Sequence, residues 1–292
     1  MSLALVQSRA LLGLQAPAVT VEVHLANGLP SFTLVGLADV EVKEARERVR
    51  AALLNSGLEF PSNKRITVNL APADLPKDSG RFDLPIALGL LAASGQIDAA
   101  RLEGWEFAGE LSLSGRLRPV RGALATALAL RTQGEQARMV LPTESAREAA
   151  LVPDARIYAA EHLLDVAAQF LPPGSGEESD ASGWQRVQPN APEAAADGPD
   201  LADVKGQAAA RRALEIAAAG GHGLLLVGPP GSGKSMLAQR FAGILPPMRI
   251  EEALESAAIA SLAGRFTPGH WIQRPTASPH HTCSAVALVG GG

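Results

Sequence analysis

One octapeptide sets the architecture of the C-terminal third of the chain: Gly228-Pro229-Pro230-Gly231-Ser232-Gly233-Lys234-Ser235. It satisfies the pattern G-x-x-x-x-G-K-[ST] in full, and the glycines of that pattern let successive backbone N–H groups point at a phosphate. Lys234 is expected to reach the β- and γ-phosphates of a nucleotide, and the Ser235 hydroxyl to complete the shell of its Mg²⁺ ion. We therefore predict that residues 228–235 bind ATP, with Mg²⁺ as the accompanying metal.

The residues on either side of this loop favour the same interpretation. Residues 224–227, Leu-Leu-Leu-Val, form a short apolar run that predicts a buried strand, and residues 234–242 have the spacing of a helix that ends at Gly243. The N-terminus of that helix would present free N–H groups and the positive end of its dipole to the same anion. The alternative is a glycine-rich strand-to-helix turn that binds no ligand.

Hydrolysis of a bound nucleotide needs more than this loop. An acidic residue at the end of a second apolar strand must hold Mg²⁺ and polarise water. After Ser235 the acidic residues are Glu251, Glu252 and Glu255, which share one predicted helix, and the sequence ends in the glycine run 290–292, typical of the middle of a loop. We therefore expect an N-terminal fragment of a longer protein, truncated before the acidic (Walker B) strand. No catalytic site is complete in it, and ATPase activity is left open.

Composition excludes several classes of protein. The 292 residues carry 26 basic and 30 acidic side chains, which gives a net charge of −4. This net charge does not indicate a surface that binds nucleic acid or membrane, although a basic face is not excluded. Hydrophobic residues make up 47%, which indicates a globular chain. The single cysteine, Cys283, cannot form an internal disulfide. The longest apolar run, 84–93, is too short for a membrane span, so we expect a cytoplasmic protein without a membrane partner.

A change of composition divides the chain. Residues 172–200 are rich in Ala, Pro, Gly and acidic side chains, with almost no large apolar residues to bury. We predict a linker there. It would separate an N-terminal domain, residues 1–171, from the N-terminal part of an ATPase domain, residues 201–292.

The N-terminal domain interleaves predicted strands and helices, so its class is α/β or α+β. Strands at 19–24 and 31–35, joined by Asn27-Gly28, predict a hairpin. Residues 40–55 have helical spacing, and their mixed charges favour a solvated face over a DNA-binding stripe. Further predicted elements are a strand at 65–70, a buried helix at 84–93, a hairpin over 110–117 that turns at Ser114-Gly115, helices at 123–131 and 144–151, and short strands at 139–141 and 157–158.

Several further segments match one family. In the C-terminal part they are Asp203-Val204-Lys205-Gly206-Gln207, residues 213–222, Gly243-Ile244-Leu245-Pro246-Pro247, Arg274-Pro275 and Pro279-His280-His281-Thr282. In the N-terminal part they are Val35-Gly36-Leu37, residues 69–74 and Pro76-Lys77-Asp78. With the octapeptide, these segments resemble the YifB/ComM family of magnesium-chelatase-like AAA+ ATPases. The resemblance covers nearly the whole chain except the linker.

This resemblance implies a fold and a function. The fold is a Lon-protease-like α+β domain followed by the first part of a P-loop AAA+ domain of the Mg-chelatase type. Family members form homo-oligomeric rings, expected to be hexamers, and continue past residue 292 into the acidic strand, the sensor residues and the arginine finger. The ComM branch is thought to drive DNA branch migration with ATP, so DNA is the expected partner of the full-length protein. The alternative left open is a nucleotide-gated protein-remodelling or chelatase-like subunit.

The similarity to Lon also raises the possibility of a Ser-Lys protease. The segment that resembles the turn of the Lon serine places that serine near Arg81 or Phe82, and the lysine position falls at residues 123–125, which are Ala-Leu-Ala. Ser79 and Lys77 could substitute, but they lie two residues apart on one predicted loop, without an evident oxyanion site. We therefore expect the domain to be inactive as a protease.

The segment His280-His281-Thr282-Cys283 is the candidate for metal chemistry. Adjacent residues of an extended segment point to opposite faces, and His281 with Cys283 would supply two of the three or four ligands that zinc requires. A metal site is therefore not expected there. The three tryptophans, at 105, 184 and 271, are predicted to be core, linker and loop residues respectively.

Overall fold

The computed structural model describes residues 3–36, 39–77, 79–132, 134, 137–172, 183–188, 198–267, 269, 271–280 and 282–286. The chain divides into two compact units. The first comprises Met1–Ala191 with Ala257–Phe266, and the second Pro192–Ser256 with Thr267–Gly292. We call them the N-terminal and the C-terminal unit. Among the described residues, no helix combines the length and the apolar content needed to cross a bilayer.

The N-terminal unit is a mixed α/β structure. Its elements in chain order are β1 (Leu3–Arg9), β2 (Ala18–Ala26), β3 (Ser31–Val35), α1 (Val40–Asn55), β4 (Arg65–Ala71), α2 (Asp83–Ser94), β5 (Trp105–Phe107), β6 (Glu110–Leu111), β7 (Leu117–Arg118), α3 (Ala123–Arg131), β8 (Arg138–Pro142), α4 (Thr143–Ala149), β9 (Arg156–Ala160), α5 (Leu163–Gln169) and β10 (Gln185–Arg186). Short 3₁₀ turns span Gly80–Phe82 and Ala99–Leu102.

Among the described residues, eight of these strands form one sheet in the order β10-β9-β8-β5-β1-β2-β4-β3. The pairs β1–β5, β5–β8, β8–β9 and β3–β4 are parallel, whereas β1–β2, β2–β4 and β9–β10 are antiparallel. β6 and β7 form a separate antiparallel hairpin, as the sequence predicts. The helix predicted at 40–55 is confirmed as α1, and the buried run 84–93 as α2.

The hairpin predicted from β2 and β3 is wrong. Both strands exist, but β4 lies between them, antiparallel to β2 and parallel to β3. Alternation of apolar residues identifies a strand without identifying its neighbour. Here α1 follows β3 and carries the chain over to β4, which is the crossover that a parallel pair requires. The Asn27-Gly28 turn therefore joins two strands that are not hydrogen-bonded to each other.

Trp184, predicted to be a linker residue, is partly buried and packs against the core of the N-terminal unit. Its ring centroid is 5.4 Å from that of Trp105 and 5.3 Å from that of Tyr158, and it also contacts Phe170. The two residues after it form β10, which pairs with β9 at the edge of the sheet. The composition of the segment gave no sign of this packing, because a single aromatic side chain adds little to the apolar content of an Ala- and Pro-rich segment. Residues 173–182 and 189–197 lie outside the described part of the chain.

α2 approaches the sheet very closely. Every residue from Asp83 to Ala93 is buried, and the helix packs on β1 and β2. A Cβ added at Gly89 would lie 2.5 Å from Cγ2 of Val23 on β2. Glycine at this position therefore sets the distance between the helix and the sheet.

A buried ion pair joins α1 to the start of α2. Arg48 donates to both carboxylate oxygens of Asp83, at 2.6 and 3.0 Å, and the backbone N–H of Leu111 on β6 donates to the same carboxylate at 3.1 Å. Burial raises the pKa of Asp83 to about 6, although the bonds from Arg48 and Leu111 oppose that rise. One carboxylate thus connects three elements.

The C-terminal unit contains α6 (Ala208–Gly220), α7 (Lys234–Phe241) and α8 (Ile250–Leu262), the last extending into residues assigned to the N-terminal unit, with 3₁₀ turns at Leu201–Asp203 and Ala242–Ile244. The helices predicted after the loop and around the three glutamates are confirmed. The strand predicted at residues 224–227 is not: Leu225 is 83% exposed and Val227 is 85% exposed. A strand needs a hydrogen-bonded neighbour, and the described residues of this unit include no strand that could pair with it.

We expect Gly89→Ala to destabilise the N-terminal unit. Overpacking costs about 1–3 kcal/mol, which exceeds the roughly 0.5–1 kcal/mol that alanine gains over glycine in a helix. Urea unfolding followed by tryptophan fluorescence would measure the loss. The double variant with Val23→Ala should lose less than the sum of the two single variants, because the added methyl group then has room; strict additivity would show that the contact does not set the packing.

Arg48→Met should destabilise the same unit by about 3 kcal/mol at pH 8, since it leaves a buried carboxylate without its cation. The pKa of Asp83, about 6, lies above its value in the unfolded chain. Protonation of Asp83 therefore favours the folded state at low pH, and this contribution is lost as the pH rises through 6. The cost of the substitution should be small at pH 5, where Asp83 is mostly protonated. Urea unfolding at both pH values tests this, and equal losses would contradict it.

Candidate phosphate-binding loop

The octapeptide at 228–235 forms an irregular, exposed loop that leads directly into α7. Gly231 has a φ of +80° and Gly233 a φ of +84°, the left-handed region that favours glycine. A Cβ added at Gly233 would lie 3.0 Å from Nε2 of Gln207 and 3.3 Å from Cε of Met236. The backbone angle therefore favours glycine here, and an added methyl group would also press on the ends of two flexible side chains, which would have to shift.

α7 begins at Lys234, immediately after Gly233, so its first N–H groups lie at the end of the loop. The N–H of Leu237 donates to the Gly233 carbonyl at 2.9 Å, which closes the first turn of the helix. The N–H groups before it are those that a helix leaves without an internal partner, and they lie at the positive end of the helix dipole. The Ser235 side chain lies in this first turn and is exposed.

The side chain of Lys234 connects the end of the loop to its start. Nζ donates to the carbonyl oxygens of Gly228 and Pro229, both at 2.8 Å, and lies 3.3 Å from Oγ of Ser232. Ser232 Oγ itself donates to the Pro229 carbonyl at 2.9 Å. The positive charge thus sits between the two ends of the loop, on backbone acceptors that an anion could replace.

Gln207 contacts the loop, and the sequence analysis does not predict this contact. It lies in a left-handed conformation with a φ of +50°, at the start of α6, and its Nε2 is 3.5 Å from the Ser232 carbonyl oxygen. The available signal was the Gly206-Gln207 pair among the family-matching segments, which identified a shared motif but not the surface it touches.

Arg240 fastens α7 to the turn that precedes α6. Its Nε donates to the Asp200 carbonyl at 2.9 Å, and its Nη2 lies 3.4 Å from Oδ2 of Asp203. Leu237 of the same helix packs in a small apolar cluster with Leu201. The contacts of Arg240 and Leu237 therefore hold α7, and with it the end of the loop, against the turn at Leu201–Asp203.

The other candidate residues do not assemble into a site. His280 Nδ1 lies 2.8 Å from Oγ1 of Thr282, Cys283 is a free thiol, and His281 lies outside the described residues. In the part of the chain that the structure describes, no three His, Cys, Asp or Glu side chains are close enough to hold a metal ion. Glu252, one of the three glutamates, pairs with Arg249 at 2.9 Å.

At the position that the resemblance gives to a protease serine, the structure has a buried arginine. Arg81 is 1% exposed; its Nη1 donates to the Arg9 carbonyl at 3.1 Å and its Nη2 to the Arg121 carbonyl at 2.6 Å. Lys77 is also buried, its Nζ donates to the Pro72 carbonyl, and burial lowers its pKa. Both cations bind backbone oxygens.

Two family models match this chain. "Subunit ChlI of Mg-chelatase" matches residues 21–145, and "Magnesium chelatase, subunit ChlI" matches residues 200–292, which include the whole loop. The chain belongs to the magnesium-chelatase-like YifB/ComM family. It is 53% identical to the YifB protein of Salmonella typhimurium, 52% identical to the competence protein ComM of Haemophilus influenzae and 50% identical to YifB of Escherichia coli. Each match covers 100% of this chain and 56% of the relative, so the chain spans just over half the length of these proteins.

We expect Gly233→Ala to loosen the start of α7. The left-handed angle costs a non-glycine residue about 1–2 kcal/mol, and the new methyl group would press on Gln207. Hydrogen exchange of the α7 amides, followed by mass spectrometry, should become faster. Gly223→Ala is the matched control, because a Cβ there meets nothing within 4 Å. Equal exchange in both variants would mean that the conformation of Gly233 does not limit the helix.

Proposed function

We propose that residues 228–235 bind Mg²⁺-ATP and that the full-length protein is an ATP-driven motor on DNA. The observation that carries the first part is the loop itself: two left-handed glycines, a lysine ammonium at its centre and the N-terminus of α7 at its end. This donor set fits a polyphosphate, because it combines backbone N–H groups at a helix N-terminus, a hydroxyl and a cation.

When a phosphate binds, Lys234 would exchange its backbone acceptors for phosphate oxygens. The ammonium leaves the carbonyl oxygens of Gly228 and Pro229 and bonds to the β- and γ-phosphate oxygens, where charge makes each bond stronger. The Ser235 hydroxyl, in the first turn of α7, would be a ligand of Mg²⁺. A bound Mg²⁺ neutralises charge on the phosphates; the glycine backbone and the helix N-terminus of this chain orient them.

Hydrolysis requires a carboxylate at the end of a strand, and the acidic residues after Ser235 all lie in the helix α8. We propose that a neighbouring strand ending in such a carboxylate pairs with residues 224–227 in the longer protein. The exposure of Leu225 and Val227 supports this, because two large apolar side chains lie open where a sheet would cover them. In this proposal residues 201–292 are the first part of an AAA+ domain that forms a homo-oligomeric, hexameric ring.

The DNA part of the proposal is supported by the name of the Haemophilus relative, a competence protein, at 52% identity over the whole chain. We propose branch migration during recombination as the activity, in the cytoplasm, with residues 1–171 as a Lon-like domain without protease activity and residues 172–200 as the linker region, within which Trp184 and β10 pack on that domain. The buried, bonded Arg81 supports the loss of protease function, because it fills the place of a nucleophile.

A second candidate is a chelatase-like or protein-remodelling subunit. The observation that favours it is that both family models carry the description of a magnesium-chelatase subunit. The two candidates share the phosphate loop and differ in the partner.

Lys234→Ala should weaken the binding of Mg²⁺-ATP about 100-fold, the equivalent of losing roughly 3 kcal/mol of charge-assisted hydrogen bonds. Isothermal titration of the 292-residue chain would measure this, with Arg131→Ala on α3, an exposed cation outside the loop, as the control. An unchanged affinity in Lys234→Ala, or no binding by the parent chain, would contradict the assignment of the loop.

Steady-state ATP hydrolysis separates the two candidate partners. The assay compares this chain with a version extended through the acidic strand, each with and without forked DNA. The motor proposal expects hydrolysis only from the extended protein, and stimulation by DNA. Hydrolysis that ignores DNA would favour protein remodelling instead.

A further inference from the structure

Three cationic side chains of the N-terminal unit surround a small cleft of about 120 Å³. We call it the basic cleft. Arg46 and Arg50 come from α1, and Lys64 from the loop before β4; Phe60 and Phe32 supply apolar walls. Among the described residues that line it, none carries a carboxylate. This is a local excess of positive charge on a chain whose net charge is −4.

The cations of the basic cleft are available to a ligand. The ion pair of Arg46 with Glu47, at 3.2 Å, joins side chains that are 51% and 70% exposed, and such surface pairs contribute little. Arg50 is exposed, with its guanidinium 5.7 Å from the centre of the Phe60 ring. Lys64 Nζ donates to Oδ1 of Asn27 at 2.7 Å, a neutral partner.

A second, wider cleft of about 980 Å³ is lined by the same loop, residues 58–64, and shares Phe60, Pro61, Ser62 and Lys64 with the first. Its polar lining consists mainly of amides, hydroxyls and a histidine, namely Asn27, Asn63, Gln96, Ser62, Ser94 and His24, with Glu59 as its one carboxylate among the described residues.

Hydrogen bonds from the Gln96 side chain fasten the loop between the two clefts. Oε1 of Gln96 accepts from the Glu59 N–H at 2.9 Å, and Nε2 of Gln96 donates to the Glu59 carbonyl at 2.9 Å and to Oγ of Ser94 at 2.8 Å. The side chain of Phe60 also packs against the core. The cations and the aromatic ring are therefore presented on a fixed scaffold, which lowers the entropy lost on binding.

We propose that the two clefts together bind a single-stranded nucleic acid. Its phosphates would contact Arg46, Arg50 and Lys64, and its bases would lie against Phe60 and the amides of the wide cleft. Cations interleaved with aromatic rings are the usual combination for single strands. An acidic peptide would also use the cations, and the competition with polyglutamate described below distinguishes it from a nucleic acid. The spacing of α1 alone favours a solvated face; the cleft arises because Lys64 and Phe60 join two of its arginines in the folded chain.

This site does not depend on the phosphate loop or on ATP, so the test uses the 292-residue chain without nucleotide. Fluorescence anisotropy of a labelled 20-mer oligothymidylate, measured over a range of salt concentrations, gives the affinity and its salt dependence. Three phosphate contacts predict a slope of about −2 in a plot of log K against log salt. A parent chain that does not bind the probe overturns the proposal.

The triple variant Arg46→Gln, Arg50→Gln, Lys64→Gln should bind about tenfold or more weakly, with a slope near zero. Phe60→Leu should bind roughly fivefold or more weakly with its slope unchanged, because it removes a stacking surface and no charge. This split between slope and affinity is not expected from a general loss of folding, and unchanged thermal unfolding of each variant would confirm it.

Two controls define the site. Arg116→Gln, Arg121→Gln, Arg131→Gln removes the same charge from exposed arginines of the same unit and should leave binding close to that of the parent. Lys234→Ala should also bind the oligonucleotide normally while losing ATP, which separates this site from the function proposed above. Equal weakening in both triple variants, or displacement of the oligonucleotide by polyglutamate as readily as by unlabelled oligothymidylate, would overturn the proposal.

Discussion

The N-terminal unit depends on the ion pair between Asp83 and Arg48. α2 is buried along almost its whole length, and Asp83, at its first position, brings a carboxylate into the interior. Arg48 and the Leu111 N–H satisfy that carboxylate, so the same group that would oppose burial of α2 also ties it to α1 and β6. The close contact of Gly89 with Val23 then lets the helix lie directly on the sheet.

The sequence predicts where single helices and strands lie, but it does not predict which strands pair or which distant side chains contact each other. The spacing of apolar residues identifies α1 with its bounds and α2 to within a residue at each end. The same kind of pattern identifies β2, β3 and β4, but not the position of β4 between the other two, since period-two alternation contains no information on the neighbouring strand. The predictions of a linker position for Trp184 and of a buried strand at residues 224–227 were wrong for a related reason, because the burial of a side chain depends on what surrounds it in space. The ion pair of Asp83 links residues 35 positions apart and leaves no pattern in either segment.

The two candidate sites differ in the same way. The phosphate loop is contiguous, so residue types, spacing and backbone angles all follow from eight consecutive positions. Its contact with Gln207 was missed because that residue lies 25 positions from Ser232. The basic cleft draws on α1 and on the loop before β4, and its cations come together only in the folded unit.

The position of Lys234 makes the loop a competitor of its own ligand. Two backbone carbonyls already satisfy the ammonium, so an anion binds only if it displaces them. A small anion such as sulfate reaches the ammonium at one point and must offset the whole displacement alone, whereas a triphosphate spreads the exchange over the lysine, the glycine N–H groups and the start of α7. If the loop binds ATP as proposed, it would thereby discriminate by the length of the polyphosphate chain, without any side chain that measures it.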